Sequence, residues 1–477
     1  MANINITIDG KALSVPAGTT ILAAASQNGI HIPTLCFLEK LVPHASCRMC
    51  VVEVEGARTF QHACAAKVRE GMVVRTDTEA LRTSRKLTLQ LLLSDHSVDC
   101  HHCLRMGSSK CEDLDPKLCE SCFFCDCVRD GFCELQSLAR EYKVDVLPFA
   151  QRHNVHPIDA TTAIVRNVNK CVKCKRCVDV CGSVQAVHNL AASGRGCDVT
   201  IGPALGKTMA ESACIGCGRC AEVCPTGAIF VKEHKDEMIY QAHAYGVETA
   251  CLLSENVLPE LERLYKLPEG SLTIGQVAAA LKKIGVDHIY SDAAAKEAAK
   301  AQAAALLDER LESGKCLILT DSAAAKKFLR REYPALKDRF AFYDDVQTIF
   351  AEQMKAVKPA AKHIQVSADN GFAVEAEESG SVEFFLNTRE LYRVFLRTGG
   401  APQRRQPTEL EELCESEHCE RYEAILQNLD WNMERELEEL TFTENGRELR
   451  ALLCRNLGQL RAAVEKMDHY DVIRVLA

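Results

Sequence analysis

The chain has 477 residues, 47% of them hydrophobic and 26% charged, with a formal net charge of −9. That length and balance describe several globular domains, each able to bury a core, and exclude a largely disordered chain. The negative charge offers no basic face to nucleic acid, no apolar run approaches the roughly 18 residues of a membrane helix, and no signal-like stretch precedes the first strand. A cytoplasmic protein with protein partners, without nucleic acid or membrane, is expected.

The informative count is 26 cysteines, of which 21 lie between Cys36 and Cys224 and only five follow. In a reducing compartment, cysteines at such short spacings read as metal ligands rather than as a disulfide scaffold. Residues 1–80 open with apolar alternation over 3–8 and 12–15 around Asp9-Gly10, which predicts a hairpin. Thr19 or Thr20 then caps a helix that stops at Asn28-Gly29. Behind these elements stands Cys36-x10-Cys47-x2-Cys50-x13-Cys64, a set that suits a [2Fe–2S] cluster in a β-grasp domain. The bland alternative, four core thiols, sits poorly with a Cys-Arg-Met-Cys loop.

Residues 81–150 begin with a helical LRTSRKLTLQLLL (81–93) and continue into a cysteine-dense segment. A shift of 22 residues maps Cys100-x2-Cys103-x7-Cys111-Glu112 onto Cys122-x2-Cys125-x7-Cys133-Glu134. Each triplet has a candidate fourth ligand just upstream. The spacing therefore predicts one [4Fe–4S] on His96, Cys100, Cys103 and Cys111 and another on Cys119, Cys122, Cys125 and Cys133, with Cys127 spare. A competing partition, Cys100-x2-Cys103-x15-Cys119-x2-Cys122, has zinc-ribbon spacing and would make this insert structural. His101 and His102 read as neighbours of ligands, not as ligands.

Residues 151–240 hold the plainest signal, CVKCKRCVDVC (171–181) and CIGCGRCAEVCP (214–225), an internal repeat offset by 43 residues. Each is C-x2-C-x2-C-x3-C, in which three thiolates hold one cubane and the fourth crosses to the other. Cys171, Cys174, Cys177 and Cys224 are expected on one [4Fe–4S], and Cys214, Cys217, Cys220 and Cys181 on the second. Zinc rarely uses this triple spacing twice. Lys170, Lys173, Lys175 and Arg176 surround the first run, where they raise its potential, receive an acidic ferredoxin, or form a solvated face. Cys197, Cys251, Cys316, Cys414, Cys419 and Cys454 lack ligand spacing and read as core or surface thiols. Residues 241–477 alternate helical and strand-like stretches, with VAAALKKIG, VDHIYSD, a helix at 293–313 and CLILTD, which indicates α/β layers. The fold class is thus multidomain α+β and α/β, with four modules.

The module order resembles the front of iron-only hydrogenases and of the large iron–sulfur subunit of NADH dehydrogenases, up to about residue 240. His96-x3-Cys100-x2-Cys103 and Cys133-Glu134-Leu135-Gln136 match that family's histidine-cluster segment. Its third cysteine normally follows after x5, so either Cys111 or Cys133 could fill that place, and Cys127-x5-Cys133 keeps the family spacing. The back half, through LPEGSLTIGQVAAALKKIGVDHIYSD (267–292) and FLNTRELYRVFLRTGG (385–400), is similar to the hydrogenase catalytic domain. Where the family carries Ser-Cys-Cys-Pro-Gly-Trp this chain has Thr320-Asp321-Ser322-Ala323-Ala324-Ala325, its Met-Pro-Cys loop is Ser367-Ala368-Asp369, and YDVIRVLA ends where a last cysteine pair would begin. The resemblance therefore implies a degenerate hydrogenase-like α/β domain without hydrogen chemistry.

What is left resembles the hydrogenase-like subunits of soluble electron-bifurcating complexes, notably the Sporomusa-type ferredoxin-dependent transhydrogenase. That implies flavin- and NAD(P)-binding partner subunits, with ferredoxin as low-potential carrier. No GxGxxG follows a strand here, so those cofactors bind elsewhere. The rival expectations are a hydrogenase with an altered site, a cluster-based sensor, and an iron–sulfur subunit of a formate dehydrogenase.

Overall fold

The computed structural model describes residues 2–96, 127–129, 132–144, 146–149, 156–312, 314–412, 419–426, 436–444 and 446–476. Strands β1 (Asn3–Ile8) and β2 (Lys11–Pro16) pair antiparallel through Asp9 and Gly10, both at positive φ, as a two-residue hairpin turn demands. Thr20 caps the helix Ile21–Gln27 by accepting from the Ala23 amide at 3.2 Å. With β3 (Val51–Val54), β4 (Gln61–His62) and β5 (Val73–Arg75) the sheet order is β2-β1-β5-β3-β4, with β1 and β5 parallel. This is the expected β-grasp arrangement.

The helix Glu79–Ser94 buries Leu81, Arg85, Leu89 and Leu93, one residue per turn on a single face. Arg85 is 2% exposed because its guanidinium is spent on three acceptors. They are the Val51 carbonyl at 2.6 Å, the Thr76 carbonyl at 2.9 Å and the Tyr142 hydroxyl at 3.1 Å. One side chain thus ties the β-grasp sheet to the segment after the helix Glu134–Glu141.

The repeated cysteine runs lie between two small sheets. One is β6 (Ile164–Arg166) with β9 (Ile229–Val231), the other β7 (Leu190–Ser193) with β8 (Thr200–Pro203). The repeat is visible in the backbone. Lys173 and Lys175 have φ of 55° and 67°, and the residues 43 positions on, Gly216 and Gly218, have 79° and 72°. The loop needs left-handed residues at both places, so the first run carries a local strain that glycine relieves in the second.

Beyond residue 248 two sheets stack with helices. The first is parallel, ordered β11 (His288–Ser291), β10 (Thr249–Leu253), β14 (Lys362–Val366), β15 (Phe384–Leu386). The second is ordered β13 (Phe340–Phe342), β12 (Leu317–Thr320), β18 (Val472–Val475), β17 (Arg447–Cys454), β16 (Glu438–Glu444), with only β16 antiparallel to its neighbour. The alanine-rich helix Ala293–Leu311 buries Ala295, Ala299, Ala303 and Leu307 against this core, so it is a structural helix and not a linker.

Arg176 and Arg219 occupy equivalent places in the two runs, and both are buried. Arg176 forks onto Glu134 at 2.6 and 2.8 Å, which overturns its reading as part of a solvated face. Arg219 binds Asp369 at 3.1 Å and Glu222 at 3.3 Å. One repeat therefore clasps the preceding module and the other clasps the following domain. The two ends of the first pair differ: the Arg176 side chain is 7% exposed and Glu134 is 44% exposed. Glu134→Gln strands a buried cation and is expected to cost about 3 kcal/mol, whereas Arg176→Met leaves a carboxylate that water can reach and should cost about 1 kcal/mol. Denaturant unfolding of both variants checks that order, and an equal loss would contradict it.

Candidate cluster-binding sites and the reaction-centre cavity

In the β-grasp domain the four cysteines are buried. Cys50 and Cys64 are 3.3 Å apart at sulfur. The Cys36 thiol is held down at about 5, chiefly by the Cys47 thiol and then by backbone N–H groups at Cys47 and Ser46. Cys47 is pushed up by the same contact. Cys50 is pushed up and Cys64 held down in the same way by their mutual contact, so the four buried sulfurs stand as two closely interacting pairs, a grouping that fits the chemistry of an iron–sulfur donor set.

The two ferredoxin-like runs bring together the thiols that the spacing paired. Cys171, Cys174, Cys177 and Cys224 line one small cavity. Burial raises Cys177 first, and the charges of Cys171, Cys174 and Cys224 raise it further. Cys181 acts in the same way on all three of Cys214, Cys217 and Cys220, and within its own run on Cys177, so it stands close to the second set although it belongs to the first run. Burial pushes Cys171 up to about 11 and Cys174 and Cys217 up to about 12. Such thiols keep their protons at neutral pH, and metal binding has to displace them. N–H groups already point at sulfur, from Asn189 to Cys181 at 3.2 Å and from Lys173 to Cys171 at 3.4 Å.

Cys100, Cys103, Cys111, Cys119, Cys122 and Cys125 lie outside the described residues, as do His101, His102 and Cys414. His96 and Cys133 are described, and both are buried. The Nδ1 atom of His96 has no hydrogen-bond partner, and burial pulls the imidazole down to about 4. A neutral, buried ring with an orphaned nitrogen suits a metal ligand. Cys127, set aside as spare in the sequence, is 8% exposed, and its charge acts on Cys133. Its x5 spacing to Cys133, which keeps the family spacing, already set it against the partition that leaves it spare. Cys133 shares one apolar core with Cys36, Cys47 and Cys174, together with Leu35, Met49, Leu89 and Leu93. The remaining cysteines behave as core or surface thiols. Cys251, Cys316 and Cys454 are buried, Cys419 is half-buried, and Cys197 is exposed.

Asp321, Ser322, Ser367, Ala368 and Asp369, which stand where hydrogenase-like ligands would be expected, converge on one cavity of about 540 Å³. It lies at the carboxyl ends of β10, β12, β14 and β18, the usual mouth of an open α/β sheet. Glu375 lines it and is pushed up to about 8, by burial first and then by the Asp345 charge. A carboxyl raised in this way adds stability that is complete below its unfolded value near 4.5 and is lost as pH rises to about 8. The melting-temperature advantage of Glu375→Gln over the native chain should therefore grow between pH 4.5 and 8 and level off above. A flat difference across that range would contradict the assignment.

With these features in place, the family comparisons are direct. Residues 1–79 match a 2Fe-2S iron-sulfur cluster binding domain, residues 210–230 a 4Fe-4S binding domain, and residues 248–475 the iron only hydrogenase large subunit, C-terminal domain. The chain is therefore a multidomain iron–sulfur protein with a [2Fe–2S] domain, a ferredoxin-like [4Fe–4S] domain and a hydrogenase-like C-terminal domain. It is related to iron–sulfur subunits of complex I-like and NAD(P)-linked hydrogenase assemblies.

The relatives are specific. The chain is 35% identical to the NADP-reducing hydrogenase subunit HndD of Solidesulfovibrio fructosivorans over 61% of its own length and 46% of that protein. It is 30% identical to the mitochondrial NADH-ubiquinone oxidoreductase 78 kDa subunit of Neurospora crassa over 49% of its length and 28% of that protein. It is 32% identical to the NADPH-Fe(3+) oxidoreductase subunit alpha of Geobacter sulfurreducens over 49% and 24%. The chain thus spans less than half the length of each of these relatives. Among the described residues no helix is long and apolar enough to cross a membrane.

Proposed function

We propose that this chain is a cytoplasmic electron-relay subunit that passes single electrons between flavin- and NAD(P)-binding partner subunits and ferredoxin, in a complex of the electron-bifurcating transhydrogenase type. The observation that carries this reading is the shared core in which Cys36, Cys47, Cys133 and Cys174 meet, since it joins three cysteine modules through apolar side chains. A second core continues through Cys177, Cys220 and Cys224 and reaches the C-terminal domain at Ala373 and Val374.

In this reading Cys36, Cys47, Cys50 and Cys64 hold a [2Fe–2S] cluster, and the two crossed sets between 171 and 224 hold two [4Fe–4S] clusters. His96 and the cysteines of 100–133 hold two more, or one and a zinc. The clusters supply one-electron redox chemistry. The protein's part is to hold the sulfurs, exclude water, and set the local charge. Arg176 and Arg219 are buried beside their own runs, where each guanidinium feels the charge of Cys174 or Cys217. Each guanidinium is paired with a carboxylate, Glu134 for Arg176 and Asp369 with Glu222 for Arg219, so beside the sulfurs it supplies a local dipole and not an unpaired charge. No acid, base or nucleophile is required.

The same reading makes the chain inactive toward hydrogen, because Asp321, Ser322 and Asp369 offer oxygen where thiolates would be needed to anchor an iron centre. Anaerobic metal and sulfide counting tests the proposal. About eighteen irons per chain without zinc fits one rhomb and four cubanes, whereas about fourteen with one zinc makes the 100–133 insert structural. Dye-linked hydrogen uptake by the purified chain would refute the relay reading, as would copurification without any flavoprotein.

A further inference from the structure

A second cleft, of about 450 Å³, opens outside the carboxyl ends of β10, β14 and β15, the mouth of the parallel sheet. Arg129 and Phe132 line it from the segment ahead of Cys133, Phe230 from the ferredoxin-like module, and Pro259, Arg263 and Arg389 from the C-terminal domain. The helices Asn370–Ser379 and Thr388–Thr398 begin here and bring their positive ends to it. Arg129 is 6% exposed, yet among the described residues it has no carboxylate partner. Its Nη2 donates to the Ala221 and Glu222 carbonyls at 2.9 and 3.3 Å. Its Nε and Nη1 donate to nothing among the described residues, and neither is sealed off as the Nε atoms of Arg176 and Arg219 are. A buried cation without a counter-charge is costly, so this one calls for an anion.

The carboxylates of the same wall are already engaged. Glu222 is bound by Arg219 at 3.3 Å, and Glu233 by Arg393 at 2.7 Å and Lys235 at 2.5 Å. Glu260 stands between Arg263 and Arg389, each 3.0 Å from the same Oε1. Arg129, Arg263 and Arg389 thus have one carboxylate among them. The side chains of Arg389 and Arg263 are 23% and 69% exposed, so both reach open space. Arg129 and Arg389 also lie over one ring, 5.7 and 5.5 Å from the Phe132 centroid. Cations that close repel, and Arg129 is pulled down to about 10, by burial first and by the Arg389 charge next. The group that balances this wall is a dianion with several acceptor oxygens. A phosphate monoester carries about −1.5 to −2 charge and three such oxygens, whereas a carboxylate carries a single charge. The volume of about 450 Å³, with Phe132, Phe230 and Pro259 as apolar walls, suits a small metabolite and not a bare ion.

We propose that this cleft binds a small phosphorylated metabolite, its phosphate group between Arg129, Arg263 and Arg389 and its organic part against Phe132, Phe230 and Pro259. The site goes beyond the relay reading and stands whether or not that reading does. The Cys224 and Cys133 charges also act on Arg129, so an occupant lies one guanidinium away from the first thiol set and changes the charge that set feels.

Calorimetric titration of the anaerobic full chain with phenyl phosphate tests it, with benzylamine as the matched cation and inorganic phosphate as competitor. Expected is one binding event per chain for phenyl phosphate, displaced by excess inorganic phosphate, and none for benzylamine. Arg129→Met and Arg263→Glu should each lose at least about tenfold in affinity, the equivalent of one charge-assisted hydrogen bond. Arg263 is mostly exposed, so its reversal keeps the test decisive if Arg129→Met folds poorly. Arg58→Met, which removes an exposed arginine of the β-grasp domain, should leave the affinity unchanged. No heat with phenyl phosphate up to about 10 mM overturns the proposal, the range in which a weak metabolite site would saturate. So does saturation by benzylamine, binding that excess inorganic phosphate leaves in place, unchanged affinity in Arg263→Glu, or an equal loss in Arg58→Met.

Discussion

Cys224→Ser is expected to remove iron from the first thiol set and not from the run in which it sits. The sulfur of Cys224 lines the cavity shared by Cys171, Cys174 and Cys177, while Cys181 acts on the thiols of the second run. A serine oxygen is a much poorer cubane ligand than a thiolate, so the variant should lose about four irons per chain, and Cys181→Ser about four others. Crossing has a sharper consequence in pairs. Cys224→Ser combined with Cys171→Ser should lose no more iron than either alone, because both strike one cluster. Cys224→Ser combined with Cys214→Ser should lose about eight. The reverse pattern, additive for 224 with 171 and redundant for 224 with 214, would mean that each run keeps its own four thiols.

The second large effect is expected from stripping the iron. The front modules pack their cysteines into their hydrophobic cores, so that Cys36, Cys47, Cys133 and Cys174 stand among leucines in place of further apolar side chains. Metal binding at such sites is folding energy, and its loss leaves buried thiols with nothing to hold. The C-terminal domain is different. Its two main cores are built from residues such as Phe350, Leu307, Leu319 and Ala451 on one side and Val277, Leu281, Ile364 and Phe395 on the other. Anaerobic acid and chelator treatment should therefore leave residues 2–240 open to protease while a fragment from about residue 245 onward resists, as N-terminal sequencing of the products would read. Simultaneous digestion of both halves, or survival of the front, would contradict this division. The contact of Gly218 with the Asn370 carbonyl, where a Cβ would come within 2.7 Å, marks where loosening should first reach the back domain.

The sequence by itself determined what depends on neighbours along the chain. Cysteine spacing is a local property, because a cubane or a rhomb demands thiols a few residues apart, and so the candidate sets at 36–64 and 171–224 were legible before any coordinate. The Asp9-Gly10 hairpin, the Thr20 cap and the strand–helix alternation after 249 were legible for the same reason. The tertiary structure decided what depends on residues far apart. Arg176 meets Glu134 across 42 positions and Arg219 meets Asp369 across 150, and no local pattern announces either pair. Cys127, spare in the spacing partition, is buried in the fold, which agrees with its x5 spacing to Cys133. Likewise Asp321, Ser367 and Asp369, on two separate loops of the chain, share one cavity only because four strands end there, which no local pattern announces.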